Sequence, residues 1–550
     1  MRRPDLRIVA LFVSLSFAAC SDAGAPGNDS ITEARLSADL RALSADSMEG
    51  RLVGTPAHDE AADWVSARFE SLGLEPAGDA GTYDQRFDMV WFSLGSGNTL
   101  TVSGAGGARA PGNGWTPESF SANASAAGRV VWVGYGIVEP RLGWDDYQGQ
   151  DVRGRIVLAL DGEPGADDPS SPFDGVVTAE ASRAWRKALA AQERGAAGIL
   201  LVRYAPGRAE SEDWARINAA AWPDQPRRIE RFTLGDWAED VTIPGGEIST
   251  QLAEALVAGS GRTLASLVDA SEAAEHGLGV VTLQGARASL TTAVERHVTE
   301  GRNILAMIEG SDPELGNEVI IIGGHYDHNG ADSTGVYNGA DDNASGTVGV
   351  MAIAAAYADA ARRGEHPRRS VMFAVWDAEE RGPLLGSWYY TLRPLFPMPR
   401  TAAVLNMDMI GRNEEVPADG GGRFRGLEPQ PADSNANAVN ILGFSRTPEL
   451  AAAVQAADAA YGLTLRMRYD NNESNLLRRS DQWPFLQNDV PAVWFFTGLH
   501  PDYHTTQDDA DRINYEKMTR IVRLVHQTSW DLANADGRPA VEGMKSRPRS

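Results

Sequence analysis

The stretch Glu318 to Gly346, EVIIIGGHYDHNGADSTGVYNGADDNASG, restricts the fold more than any other part of the chain. Val319 to Ile322 form an apolar, β-branched run of the length expected for a strand buried in a parallel sheet, and Gly323 and Gly324 end it. The polar residues arrive where the strand stops. His325, Asp327 and His328 come first, and after a Gly/Ser/Asn loop Asp341 and Asp342 precede a small-residue helix that starts near Ala344. In open α/β sheets, ligands collect beyond the carboxyl ends of the strands, because loop tips converge there over a rigid sheet. Three acids and two imidazoles in that position suggest a metal.

A single cluster of this kind is also what a capped strand and a solvated loop look like. Repetition decides the matter. The apolar run Val371 to Trp376 leads into Asp377, Ala378, Glu379 and Glu380; Ala402 to Leu405 leads into Asn406, Met407 and Asp408; Pro491 to Phe496 leads into His500, Asp502, Tyr503 and His504. Several apolar runs each ending in acid or His make convergent ligands the better reading. Asn303 to Ile308 adds a strand expected to pair with Val319 to Ile322, and Ala344 to Ala361 a helix whose N-terminus favours the negative charge of Asp341 and Asp342. The fold class is α/β, a mixed, mostly parallel sheet flanked by helices.

The ordered set is His325, Asp341, Glu380, Asp408 and His504. Two imidazoles and three carboxylates suit zinc, or a similar divalent ion, without any cysteine. Asp341, on a loop between the other ligands, can bridge two ions. A metal pair about 3.5–4 Å apart polarises a carbonyl and stabilises a tetrahedral intermediate, as amide hydrolysis requires. Adjacent carboxylates on irregular backbone point in different directions, so Glu380 can bind metal while Glu379 is left as general base and proton shuttle.

The remaining chain supplies context. Its 550 residues are enough for two or more domains, and 43% hydrophobic content can fill sizeable cores. A formal net charge of -25 disfavours nucleic acid and anionic membrane surfaces as partners. Residues 1–19 read as a secretory signal: Arg2, Arg3 and Arg7 precede an apolar stretch from Ile8 to Phe17. Cys20 is the sole cysteine, which excludes an intramolecular disulfide and a cysteine-based zinc site. Phe-Ala-Ala-Cys, ending at Cys20, resembles a bacterial lipobox, although Phe17 stands where Leu is usual and plain cleavage is the alternative. The expectation is an exported protein, at the periplasm or cell surface, touching the membrane only through a lipid anchor at Cys20. Residues 20–30 then serve as a tether.

Ser30 and Glu33 read as a capping box before a first helix, and Thr55, Pro56 and Gly73 bracket a second. His58, in the first turn of that second helix, reads as a solvated or capping residue. Val130 to Val138, Arg155 to Leu160 and Ile199 to Val202 read as strands of a differently organised region, with a helix from Ala179 to Arg194. The acidic loop Asp161 to Asp174 reads as a solvated surface loop. Nothing in the pattern sets an oligomeric state.

Two resemblances add to this reading. The strand with Val-Gly-Tyr-Gly, the turn at Gly154 and Arg155, and the ERGAAGILLV helix-strand unit resemble the protease-associated domain, over roughly 115–270, which implies an inserted substrate-gating module. His325-Tyr-Asp, GADDNASG, Ala378-Glu379-Glu380, NMDMIG, RSDQWPF and Tyr503-His504 resemble the co-catalytic di-zinc peptidase family that includes secreted bacterial aminopeptidases, glutamate carboxypeptidases and the transferrin receptor. That resemblance implies a catalytic domain built from 31–114 and 271–540, with 541–550 as a tail. It also implies two zinc ions, one on His325, Asp341 and Asp408 and one on Asp341, Glu380 and His504. Glu379 matches the general base, Tyr503 the residue that hydrogen-bonds the oxyanion, and Asp327 an acid that orients His325. Arg479 matches a substrate-contacting position, its alternative role being partner to Asp481. A cis peptide between Asp341 and Asp342 is implied as well. His328 and His500 have no counterpart and read as rim or structural residues.

The function expected is an exported zinc exopeptidase acting on peptides, foremost an aminopeptidase. A carboxypeptidase or dipeptidase is the nearest alternative, since Arg478 and Arg479 can bind a substrate carboxylate. A one-zinc glutaminyl cyclase or a receptor-like binding protein is less consistent, because every ligand position is filled.

Overall fold

The run Val319–Ile322 occupies the place its composition demands, in the middle of a ten-stranded sheet with every residue buried. The computed structural model describes residues 24–204, 213–224, 227, 229–382 and 384–542, so the signal segment and Cys20 lie outside the described residues. Four parallel strands form the centre, in the order Ser370–Trp376, Val319–His325, Thr401–Met407 and Ala492–Phe496. Antiparallel strands extend both sides, Val294–Ile308 next to Ser370–Trp376 and Ala438–Leu442 next to Ala492–Phe496. The fold is therefore mixed α/β with a mostly parallel core. Asn303 to Ile308 does not pair with Val319 to Ile322; the strand Ser370–Trp376 stands between them. The apolar runs are interchangeable in pattern, so pairing order was not encoded in them.

Alternation sends one set of side chains to each face. Ile320, Ile322, Phe373, Leu405 and Phe495 meet the helices Glu33–Leu43, Pro56–Leu72, Gly346–Arg362 and Tyr515–Asn534. Ile321, Trp376, Val404 and Trp494 face Leu385, Trp388, Trp483 and Phe485 on the other side. Both faces are dry, which is why these strands are apolar throughout. The helix Gly346–Arg362 begins against the end of the Asp408 strand, and a Cβ at Gly346 would overlap the Met407 carbonyl. Only glycine allows that approach.

The first helix is capped by Thr32, whose hydroxyl accepts from Arg35 N–H, while Ser30 bonds the Gly27 carbonyl instead of forming the expected box. Residues 24–30 are no free tether. Ala25 N–H donates to Gln527, Ala25 and Asn28 are buried, and Gly27 packs on the Ala356 carbonyl.

A second sheet of seven strands is separate and carries its own core around Trp115, Trp132, Leu158 and Leu200. It spans more than 115–270, because Thr99–Val102 and Val281–Thr292 belong to it. Thr233–Leu234, within the same stretch, pairs with Asp84–Leu94 of the large sheet and staples the two units together. The loop after Asp161 is exposed over residues 166–170, as expected of a solvated loop, but it is also tethered: Asn471 donates to the Pro169 carbonyl and Arg446 pairs with Asp174, and farther on Glu180 joins Arg478 at 2.9 Å and Trp483 Nε1 at 2.9 Å.

His526 gives the fold a pH dependence. It is fully buried on Tyr515–Asn534, edge-on to Tyr357 at 5.1 Å, and neither ring nitrogen has a hydrogen-bond partner. Burial pushes its pKa down to about 3. The unfolded chain protonates this imidazole near pH 6.5, so below that pH the unfolded state holds the extra proton and stability falls. His526→Phe should therefore lose less stability than the parent on acidification, with a difference approaching about 1.4 kcal/mol per pH unit below about 6.5. Denaturant titrations at neutral pH and near pH 5.5 measure this, and an unchanged pH dependence would exclude it.

Candidate metal centre

The four central strands point their carboxyl ends at one place. His325 closes its own strand, Glu379 and Glu380 follow Trp376, Asp408 follows Met407, and Tyr503 and His504 lie beyond Phe496. Asp327 is fully buried and does two things. Its carbonyl oxygen lies 3.2 Å and its Oδ1 3.5 Å from His325 Nδ1, and its carboxylate accepts the N–H groups of Glu379 and Glu380 at 3.0 and 3.2 Å. The acid expected to orient the imidazole thus also fixes the following turn.

That turn has a second support that the sequence did not suggest. Ala378 is left-handed at φ 54°, and Asp377 holds it by accepting from Ala378 N–H and Arg302 N–H, both at 2.7 Å. His58 Nε2 sits 2.7 Å from the same carboxylate, with its ring stacked on Tyr326 at 4.9 Å. His58 is therefore buried beneath the site, neither solvated nor a cap. Burial opposes its charge, but the Asp377 carboxylate outweighs burial and raises the imidazole above its usual range.

Asp341, expected to bridge, does not point at the other candidate ligands. Its Oδ1 accepts from Gly411 N–H at 2.6 Å, and its Oδ2 faces His500 Nε2 at 3.3 Å, behind the site. Asp342 points the other way, with Oδ1 3.5 Å from His325 Nε2 and Oδ2 2.9 Å from His504 Nε2. Asp508 receives the N–H groups of both residues and fixes this divergence. Like Glu379 and Glu380, these adjacent carboxylates diverge from an irregular stretch of backbone. The cis peptide likewise lies between Asp342 and Asn343, one bond later than expected.

With that correction the ligand types converge. His325, Asp342 and Asp408 each offer an atom within 4.8 Å of the others, and so do His328, Asp342 and Glu380. His504 Nε2 is 3.1 Å from Glu380 Oε1. His325 Nε2 and Asp408 Oδ1 are buried without a hydrogen-bond partner, and His504 Nε2 faces the Asp342 and Glu380 carboxylates. The carboxylates disturb one another: burial and then the Glu380 charge push Asp342 up to about 8. Glu379 is raised well above the usual range, first by burial, against the pull of His325. His504 is raised to about 9, since Glu380 and Asp342 overcome its burial. Buried acids crowded around imidazole nitrogens match the nitrogen and oxygen donors that divalent zinc takes.

Beside this cluster a small cavity is lined by Asp342, Glu379, Asp408, Arg479 and Tyr503, over an apolar floor of Met409, Leu476, Trp494, Phe496 and Leu499. Tyr503 stacks on His504 at 3.8 Å, and its hydroxyl accepts from Arg479 Nη2 at 3.0 Å. Asp481 is not the partner of Arg479; it lies buried and accepts from Ser387 at 2.6 Å. Arg478 turns away to Glu180. His500 and His328 are fully buried, not rim residues, the former behind Asp341 and the latter with Nδ1 2.9 Å from Glu380 Oε1.

The sequence model described as Peptidase family M28 matches residues 303–529. A probable glutamate carboxypeptidase of Arabidopsis thaliana is 27% identical over 522 residues, covering 88% of this chain and 64% of the relative. A leucine aminopeptidase 2 of Arthroderma otae is 27% identical over 268 residues, 45% of this chain and 47% of the relative. The chain thus spans less than two thirds of the length of these curated relatives. Among solved structures, an aminopeptidase from Aneurinibacillus sp. strain AM-1 aligns over 95% of this chain and 99% of its own, at 18% identity and a TM-score of 0.47.

Proposed function

We propose, for a chain whose residues 303–529 match peptidase family M28, an aminopeptidase that removes apolar N-terminal residues from peptides with two zinc ions. His325 and Asp408 would hold one ion, Glu380 and His504 the other, and Asp342 would lie between them. When bound, such a pair polarises a carbonyl and lowers the pKa of a water.

The chain's own groups do the rest. Glu379 Oε2 lies 3.9 Å from His325 Nε2 and lines the same cavity, where it takes a proton from the attacking water and passes it to the leaving amine. Arg479 donates into a lone pair of the Tyr503 hydroxyl, which leaves the hydroxyl proton for the carbonyl oxygen as that oxygen gains charge. Burial raises the Tyr503 pKa, keeping the proton in place. The apolar floor from Met409 to Leu499 receives the substrate side chain.

One observation favours an amine over a carboxylate at the substrate terminus. The guanidinium that lines the cavity, Arg479, is committed to Tyr503, so the lining offers a substrate carboxylate no free cationic side chain, while Glu379 is not assigned to an ion and can face an amine. Arg478, the other candidate for a carboxylate, is bound to Glu180 and to the Thr178 carbonyl. The test compares a leucyl arylamide, its N-acetyl derivative and an N-blocked dipeptide. Blocking the amine should lower kcat/KM by about 10⁴-fold, as loss of a partner for buried polar groups does. Preference for the N-blocked dipeptide would instead assign a carboxypeptidase, the activity named for the Arabidopsis relative.

A further inference from the structure

On the Glu380 side of the site two imidazoles, those of His328 and His504, face the same pair of carboxylates, one imidazole more than the two-ion reading uses. Glu380 Oε1 lies 2.9 Å from His328 Nδ1 and 3.1 Å from His504 Nε2. Asp342 Oδ2 lies 2.9 Å from His504 Nε2 and 3.8 Å from His328 Nδ1. Around a zinc ion with bonds of about 2.0–2.1 Å, a tetrahedron has edges of about 3.3 Å. The four spacings straddle that edge length.

The fourth donor is built into the fold. His328 is fully buried, its N–H donates to the Arg51 carbonyl at 3.1 Å, and a Cβ at Gly339 would overlap its ring. Arg51, itself buried, ties the segments on either side of the imidazole by donating to the carbonyls of Tyr326, Asn338 and Gly339. The ring therefore has no room to swing out of the site. Glu380 is fixed in the same way, since Arg381 donates to Asn329 Oδ1 at 2.8 Å and turns the Asn329 amide toward Glu380 Oε1 at 3.0 Å.

We propose that His328 is a ligand of the second ion, so that this position holds two imidazole nitrogens, His328 Nδ1 and His504 Nε2, together with Asp342 Oδ2 and Glu380 Oε1. The proposal rests on the two-ion reading above and makes the two positions unequal. The Glu380 position would carry four protein ligands, while the His325 position keeps three and a more open place for water and substrate. A two-imidazole set also favours zinc, cobalt or nickel over magnesium or manganese. The second ion then binds first and anchors Asp342, and the ion beside Glu379 is the exchangeable one.

The test is metal binding to chelator-stripped protein, independent of turnover. Competition against a chromophoric chelator should show two zinc ions, one bound distinctly tighter. In His328→Asn the amide keeps a hydrogen-bond donor near Glu380 but loses the imidazole, so the tight step should weaken by more than about 100-fold, beyond what loss of an orienting contact costs. In parent protein carrying ¹⁵N-histidine and loaded with ¹¹³Cd, three imidazoles, those of His325, His328 and His504, should show coupling to cadmium. That measurement needs no variant to fold. Two coupled imidazoles in the parent, or parental affinity at both steps in His328→Asn, would overturn the assignment. A parent that binds one ion or none would instead sink the two-ion reading.

Discussion

Glu379→Gln should lower kcat by about 10²–10⁴-fold with both ions still bound and KM little changed. The substitution keeps the size of the side chain and removes its capacity to accept a proton. Its backbone is held by Asp327 Oδ1, so the turn that also carries Glu380 is not disturbed. An ion pair with Arg381 is the competing explanation for Glu379, and the structure leaves it little support: Arg381 donates to Asn329 and lies 3.7 Å from Glu380. The neighbouring substitution separates the roles. Glu380→Gln removes an anionic ligand, so metal content should fall and excess zinc should restore part of the activity. Steady-state kinetics beside metal analysis read both, and a near-parental kcat in fully loaded Glu379→Gln would move the base to another residue.

Of the two adjacent acids, Asp342 rather than Asp341 should be the one whose loss empties the centre. Asp342 faces His325 on one oxygen and His504 on the other, so Asp342→Asn should reduce binding at both positions and lower kcat/KM by at least the factor expected for Glu379→Gln. Asp341→Asn keeps an oxygen for the Gly411 N–H and should leave metal stoichiometry intact. Its cost should be in stability, about 1–3 kcal/mol, because a buried carboxylate facing His500 is replaced. Metal analysis and denaturant melts of the two variants side by side decide the matter. Metal loss in Asp341→Asn with retention in Asp342→Asn would reverse the assignment.

Much of the architecture was readable because buried parallel strands advertise themselves: Val319–Ile322, Val371–Trp376 and Pro491–Phe496 are apolar on both faces and each stops at a polar cluster. The order in which such strands pair was not readable, since nothing in NILAMI distinguishes an antiparallel neighbour of Ser370–Trp376 from a parallel neighbour of Val319–His325. Residue types at the site were legible and directions were not. Asp341 and Asp342 are the same side chain one peptide apart, and only the amides captured by Asp508, far along the chain, decide which one faces the ligands. His58 carried no signal at all, because its partner Asp377 lies 319 positions away. His328 offered a weak one, an imidazole three residues beyond His325 in a loop returning to the same strand end, and its burial beside Glu380 was what turned a rim or structural residue into a candidate ligand.

The guanidinium of Arg51 reaches the Tyr326 carbonyl across 275 positions of chain. Between them lies the whole seven-stranded sheet, Thr99 to Thr292. For a flexible chain, closing a loop costs entropy that grows with the logarithm of its length. Once the inserted sheet has formed, its ends lie side by side as the antiparallel pair Thr99–Val102 and Val281–Thr292, and the effective loop contracts to roughly a third of its length. That contraction lowers the closure cost by about 1 kcal/mol. The insertion then acts as a splice in the polymer: by folding, it brings the first ninety or so residues within reach of the strand ends they must support.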